Sequence, residues 1–448
     1  MQFFKKIVIK ILILESKLIL RKYKPFIVAV TGSVGKTSTK DAIYCVLRDQ
    51  SKFVRKSDKS FNSEFGLPLT VIGVSNAWRS MWGWMRNICV GLKLIIIDQD
   101  YPDCLVLEIG ADHPGDIKNI TKWLKPDISV ITKVSKTPVH VEFFDSPEQV
   151  FEEKAALAEA VKSGGSLILF GDDAEILKMA QRVEGNNVKV ITYGTQSANA
   201  EVKGKNLAIE YRFDQDLKYP IGTRFDIEMA AGLDQQGLPN LVSKSISIAN
   251  VLGETYQYPI LAAAAVGVAK GMDAEKIVKN LQFYTAPRGR MNLVPGINDS
   301  TVIDDTYNSS PDAVSSALLV LKSVDTNGSK VAILGDMMEL GKFAADEHRK
   351  IGREAAVVVD TLITVGPRSR VTADEAVKAG MKSADIYSFD SSNDVVRTGM
   401  PVIARGDIVL VKGSQSVRME RIVKALLRNP ARAEELLVRQ EKEWLDKA

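Results

Sequence analysis

The sequence predicts two α/β domains, each built on a parallel sheet. Three observations predict it. A glycine loop, Thr31-Gly-Ser-Val-Gly35, lies between an apolar, β-rich run at 26–30 and a helix-like segment at 40–48. Short apolar runs then alternate with helical segments as far as Tyr193, the pattern of a parallel sheet with crossover helices. After Pro287-Arg-Gly-Arg-Met291 the alternation restarts, with strands at 301–305, 330–334, 361–365 and 407–411, each followed by a loop. That second run reads as a doubly wound domain.

Length and charge narrow the possibilities. The chain has 448 residues, enough for two or three domains. The expected boundaries are an N-terminal basic, apolar helix at 1–24, a central domain at 25–286 and a C-terminal domain at 287–448. A net charge of +4 is too small to argue for nucleic acid, and no such partner is expected. Cys45, Cys89 and Cys104 are widely spaced and read as reduced, partly buried thiols. Lys10, Glu15 and Lys17 interrupt the apolar run Ile7 to Leu20, so it cannot span a bilayer. It either lies on an anionic membrane surface or packs on the first domain. Packing is favoured, because apolar residues occur nearly all round the helix. Trp78, Trp82 and Trp84 are expected in the core rather than in an exposed patch.

The chemistry starts at the glycine loop. Strand, loop and helix start wrap backbone N–H groups around phosphates, with the helix dipole assisting. Gly32, Ser33, Gly35 and Ser38 belong to that cradle, Lys36 reaches the β/γ-phosphates, and the Thr37 hydroxyl sits on Mg²⁺. Val30 stands where the usual motif has its first glycine, so the bland reading is a chance Gly-Lys-Thr turn. Leu105 to Ala111 reads as a buried-type strand ending in a carboxylate, Glu108. A strand's C-terminal end faces the ligand crevice in a parallel sheet, which brings Glu108 to the same ion. The alternative is a solvated strand end. His140 follows the strand at 128–132, at a crossover beside the expected crevice, and taken alone reads as a surface-loop residue. Ser146 and Pro147 cap a helix to Val161 that carries Lys154. Gly171-Asp-Asp173 ends the strand at 166–170, and a β-rich stretch follows at 201–247. Pro68 limits any helix near 62–70. A small-residue helix at 261–266 can pack closely on the sheet, and a charged helical C-terminus runs from 418 to 447, interrupted at Pro430.

Taken together, these segments resemble the Mur ligases, ATP-dependent amide-bond-forming enzymes of peptidoglycan precursor synthesis. The motifs are TGSVGKTSTK at Thr31, NSEFGLPLT at Asn62, LEIGADHPGDI at Leu107 and GTRFDI at Gly222. GRM at Gly289, IDDTYNSSPDA at Ile303, ILGDMMELG at Ile333 and VLVKGSQSVRME at Val409 complete the set. They are most similar to the type that adds D-alanyl-D-alanine to a UDP-linked muramoyl tripeptide.

The resemblance implies a P-loop ATPase domain followed by a Rossmann-like ligase domain. It implies ATP, Mg²⁺ and a carbamylated Lys154 as the chemical equipment. Glu108 and His140 match further metal ligands. Arg290 matches a linker arginine that reaches the nucleotide phosphates, and Asn308, with Tyr307 and Asp305, matches the second domain's ATP-facing loop. The catalytic set so implied is Lys36, His140, Lys154 and Asp305. The implied chemistry is phosphorylation of a substrate carboxylate, then displacement of phosphate by an amine. The expected partners are a muramyl-peptide precursor and D-Ala-D-Ala or a similar amine. The expected setting is a monomer in the cytoplasm, with residues 1–24 a candidate for peripheral contact at the inner membrane face.

Three departures stand out. The family usually begins with a UDP-gripping domain, which is expected to be missing here. Glu254-Thr-Tyr-Gln257 replaces a His-Asn pair, with Gln257 a substitute for adenine contact. Phe170 replaces an Asn. These departures keep two alternatives open: a ligase of the same type with another cell-wall or storage-peptide acceptor, or a non-catalytic nucleotide-binding scaffold.

Overall fold

The computed structural model describes residues 2–57, 66–77, 80–111, 113–134, 146–233, 239–399 and 403–446. The chain divides into two compact units. The first holds residues 1–205, 226–246 and 257–284, and the second holds 206–225, 247–256 and 285–448.

The first unit is built on β1 (Phe26–Thr31), β2 (Val54–Lys56), β3 (Cys104–Glu108), β4 (Ile128–Ile131), β5 (Ser166–Phe170) and β6 (Lys189–Gly194). They lie in the order β2-β3-β1-β4-β5-β6, all parallel. The sheet continues into β7 (Val202–Asp214), β8 (Leu217–Leu233) and β9 (Pro239–Ala249), whose residues are shared between the two units. β1, β3, β4 and β5 are almost wholly buried, as expected of strands covered on both faces.

Helices α1 (Gln2–Tyr23), α2 (Lys36–Leu47), α3 (Gly66–Ile72), α4 (Met81–Ile96), α5 (Asp116–Thr121) and α6 (Pro147–Ala158) come first in the chain. They are followed by α7 (Ala174–Leu177), α8 (Gln257–Ala269) and α9 (Ala274–Leu281). α8 packs on α2, and Ala262, Ala263, Ala264 and Ala265 are fully buried. Small side chains let the backbones approach. A Cβ on Gly267 would lie 2.7 Å from Ile277 and 3.2 Å from Val46.

The second unit carries β10 (Asn292–Pro295), β11 (Thr301–Asp305), β12 (Lys330–Gly335), β13 (Thr361–Val365), β14 (Ile386–Phe389) and β15 (Ile408–Lys412). Their order is β10-β11-β15-β12-β13-β14. β10 is antiparallel to β11 and the remaining pairs are parallel. Its core gathers Val302, Ile333, Ile363, Val409, Val411 and Ile422. α10 (Pro311–Ser323) follows β11 with proline in its first turn, where the missing N–H costs nothing.

Some expectations need correction. α3 is helical through Pro68, which sits in its first turn. Trp84 is buried, but Trp82 is 82% exposed. Trp78 lies outside the described residues. Cys104 is buried and Cys45 half-buried, whereas Cys89 is exposed. The C-terminal segment is not one interrupted helix but several short ones, among them Glu420–Leu426, Ala433–Leu436 and Lys442–Leu445. The N-terminal helix packs, as favoured: α1 lies against α3 and α4. Tyr23 Oη donates to the Leu94 carbonyl at 3.0 Å, and Lys22 Nζ to the Leu94 and Ile95 carbonyls at 3.1 Å.

That packing buries Glu15. It is 3% exposed, and neither carboxylate oxygen has a hydrogen-bond partner among the described residues. Burial pushes its pKa up to about 7. A raised acid favours the folded state below its unfolded value and loses that advantage as pH rises to the folded one. Glu15 therefore withholds stability increasingly between about pH 4.3 and 7. Glu15→Met is expected to stabilise the protein by about 1–3 kcal/mol at pH 8, and by less at pH 5. Thermal unfolding at both pH values measures this, and an equal gain at both would contradict it.

Candidate active site

Phosphate-loop geometry needs a sharp exit from β1, and two glycines supply it. Gly35 has φ +83° and is the N-cap of α2. Gly32 has φ +152°, and a Cβ there would lie 1.9 Å from Thr132 Oγ1. The loop leans on the end of β4. Ser33 N and Val34 N donate to the Lys133 carbonyl at 2.9 and 3.2 Å, and Thr132 Oγ1 donates to the Val34 carbonyl at 2.7 Å. Lys36 folds back over the loop, donating to the carbonyls of Gly32 (2.8 Å) and Ser33 (3.3 Å). Ser38 is buried in the first turn of α2.

Glu108 sits beside Val30 in register. Thr37 Oγ1 donates to Glu108 Oε1 at 3.1 Å. Glu108 is buried, and its Oε2 has no hydrogen-bond partner among the described residues. Buried Lys40 compensates its charge: Nζ lies 3.8 Å from Oε2 and donates to the Ser57 carbonyl at 2.8 Å. A hydroxyl beside a carboxylate with an unused oxygen is a hard-oxygen donor set, which suits Mg²⁺. Among the described residues no cluster of three His, Cys, Asp or Glu side chains could hold a metal. His140 lies outside the described residues.

Lys154 is 5% exposed on α6. Ser146 Oγ caps that helix by accepting from Gln149 N, as the sequence suggests. Burial above all, with Lys36 assisting and Glu153 opposing, brings the Lys154 pKa down to about 7. The neighbouring Glu153 is occupied elsewhere. Its carboxylate accepts the backbone N–H groups of Gly115 (2.7 Å), Ile117 and Lys118 (3.2 Å) at the start of α5. Asp172 and Asp173 also serve the backbone: Asp172 accepts from Thr195 N and Ser197 N at 2.8 Å, and Asp173 caps α7. Phe170 stacks edge-on against Tyr258, centroids 5.0 Å apart. Gln257 is 2% exposed.

In the second unit, Asp305 ends β11. Its Oδ2 pairs with Lys412 Nζ at 2.6 Å, and its Oδ1 accepts from Met291 N at 3.2 Å. Lys412 also donates to the Asn308 carbonyl at 2.9 Å, so one buried lysine ties β15 to the loop after β11. The Arg290 guanidinium lies 4.2 Å over the Tyr307 ring, and Arg290 Nε is buried with no hydrogen-bond partner among the described residues. Arg439 supports the loop from behind, donating to the carbonyls of Thr306 (3.1 Å) and Tyr307, and pairs with Glu420 at 3.1 Å. Lys412→Met leaves Asp305 without its ion pair. It is expected to cost about 3 kcal/mol, read as a lower unfolding midpoint of the second unit. An unchanged midpoint would contradict the tie.

The structure thus brings Lys36, Thr37 and Glu108 together at the ends of β1 and β3, with Lys154 within electrostatic reach of Lys36. It brings Arg290, Asp305 and Asn308 together around Tyr307 and Lys412 in the second unit. Sequence reasoning missed Lys40, Glu153, Lys412 and Arg439. Lys412 alone carried a signal, a charge ending a strand that is otherwise apolar.

With that geometry in hand, comparison with known proteins is direct. The family described as Mur ligase middle domain matches residues 30–232, and that described as Mur ligase, glutamate ligase domain matches residues 289–415. A UDP-N-acetylmuramoyl-tripeptide–D-alanyl-D-alanine ligase of Bacillus subtilis is 28% identical over 408 residues, covering 90% of this chain and 76% of the relative. The Mycobacterium tuberculosis enzyme of the same name is 29% identical over 423 residues, covering 90% and 72%. The crystal structure of MurF ligase from Thermotoga maritima in complex with ADP shares the fold, with a TM-score of 0.72 at 23% identity, covering 95% of this chain and 84% of that one. The first match runs from the end of β1 through β6 and the second covers β10 to β15, and the chain belongs to the Mur ligase family of ATP-dependent ligases.

Proposed function

We propose that this protein joins D-alanyl-D-alanine, or a similar amine, to the free carboxylate of a muramyl-tripeptide precursor at the expense of ATP, as a monomer in the cytoplasm. The observation that carries the reading is the Thr37–Glu108 contact beside Lys36, with a buried Lys154 whose pKa is lowered to about 7. A hydroxyl, a carboxylate and an ammonium at the ends of adjacent parallel strands suit a triphosphate and its cation.

A carboxylate is a poor acylating agent, so it needs a leaving group. In this reading the substrate carboxylate oxygen attacks the γ-phosphorus, the bond to ADP breaks, and an acyl phosphate forms. The amine then attacks the acyl carbon, phosphate departs, and the amine loses a proton. The N–H groups at the start of α2 and the Lys36 ammonium stabilise charge on the phosphoryl oxygens. Thr37 and Glu108 are the residues that would hold Mg²⁺, which neutralises phosphate charge when bound. Lys40 lies 3.8 Å from Glu108 Oε2 and holds the carboxylate in place. In this reading Arg290 and the Asp305–Asn308 loop are assigned to nucleotide contact.

Lys154 fits carbamylation. A pKa near 7 leaves much of the amine neutral at physiological pH, so its lone pair can attack CO₂, with loss of one proton to solvent. The resulting carbamate is anionic and would complement Lys36 where an ammonium repels it.

ADP release by the purified protein with paired acceptors and amines tests the proposal. Turnover is expected with UDP-muramoyl-tripeptide plus D-Ala-D-Ala. Turnover only with another pair would assign a different acceptor, and none with any pair would leave a nucleotide-binding scaffold.

A further inference from the structure

Two helices of the first unit leave an apolar face open to water. α1 and α4 lie side by side, with Glu15 against Gly91 and Tyr23 against the Leu94 carbonyl. On α1, Ile7, Ile11, Leu14 and Leu18 are all exposed; their spacing of four, three and four places them on one stripe. On α4, Met81, Trp82, Met85, Leu92 and Ile96 are exposed and also fall on one stripe. Trp82, Ile96 and Leu14 are 82%, 77% and 58% exposed. Apolar side chains standing in such rows mark a binding surface rather than scattered exposure.

The charge around them is one-sided. α1 and α4 together hold eight Lys or Arg and a single acidic residue, Glu15, which is buried between them. Lys10, Lys17 and Arg21 form a row beside the α1 stripe by the same spacing, and Arg86 and Lys93 lie on one side of the α4 stripe. No described helix is long and apolar enough to cross a membrane. Exposed Leu, Ile and Trp rimmed by Lys and Arg are what a helix needs to lie in a bilayer interface, where Trp is favoured and basic residues are drawn to anionic headgroups.

We infer that the α1–α4 face docks this enzyme on anionic membrane, with both helices in the plane of the interface. The exposed apolar rows supply the inserted surface, and the basic rows select the lipid. The reading is independent of the substrates proposed above.

Vesicle flotation with the full chain tests it, using phosphatidylcholine alone or mixed with phosphatidylglycerol. The protein is expected to float with the mixed vesicles, less with phosphatidylcholine, and less again in high salt. Two variants, Trp82→Glu with Ile96→Glu, and Lys10→Glu with Lys17→Glu and Arg21→Glu, are each expected to lose at least about tenfold in partitioning, with ADP release and circular dichroism unchanged. Quenching of the native tryptophans by brominated lipid needs no variant and is expected to be stronger with anionic vesicles. Absence of both flotation and quenching would overturn the inference. So would concentration-dependent self-association that Trp82→Glu abolishes without any vesicle binding, since the face would then belong to a second copy.

Discussion

Lys36→Ala is expected to lower ADP release by about a thousandfold or more, the scale set by losing a charge-stabilising group at a transferring phosphoryl. The fold should survive. Lys36 is half-exposed, and its Nζ makes bonds to Gly32 and Ser33 carbonyls that water can replace. The loop itself is held by Lys133 and Thr132, which the substitution leaves intact. Lys36→Arg should rescue little, because a planar fork does not substitute for a compact ammonium in a tight loop. Steady-state ADP release alongside thermal unfolding separates the two effects. Normal turnover in Lys36→Ala would remove the phosphate-loop assignment.

A similarly large loss is expected at Lys154, with the opposite sign on stability. Lys154→Met should reduce activity by about a hundredfold or more, as removal of a charged positioning group does. It should also stabilise the fold in CO₂-free buffer, because a buried amine is replaced by an apolar chain of similar length. A base whose folded pKa lies near 7, below its ordinary value, destabilises the fold most at pH below 7. The deficit shrinks as pH rises toward about 10.4. The gain from Lys154→Met is therefore expected to be larger at pH 6 than at pH 9. Acetate is expected to restore part of the activity of Lys154→Ala by supplying the missing anion, and Lys154→Arg, which restores only a cation, is expected to stay inactive. Full activity in Lys154→Arg would overturn the carbamate reading. ¹³C-bicarbonate should give a carbamate NMR signal in the parent protein and not in Lys154→Met.

The parts of the fold legible in the sequence are those written in local chemistry. Ser146 and Pro147 start α6 because a hydroxyl cap and a fixed φ act within one turn. β5 and β13 are largely apolar runs bounded by turn residues, and every residue of each is buried. The glycine loop could be read because its two glycines serve backbone geometry. Contacts between distant segments left no such trace. Glu153 caps α5 from 36 residues away, Lys412 reaches Asp305 across the sheet, and Arg439 reaches Thr306 from the far end of the chain. Each is a charged residue on an ordinary helix or strand end until its partner is known. Trp82 misled for a related reason: helical spacing shows that residues share a face, but not that the face is covered.

The central claim is that a substrate carboxylate is activated by phosphoryl transfer, and oxygen labelling tests it most directly. UDP-muramoyl-tripeptide carrying ¹⁸O in its terminal carboxylate would be turned over with D-Ala-D-Ala and ATP, and the released phosphate analysed by mass. An acyl phosphate transfers one carboxylate oxygen to each phosphate, so labelled phosphate is the predicted result. Unlabelled phosphate accompanying amide formation would contradict the account.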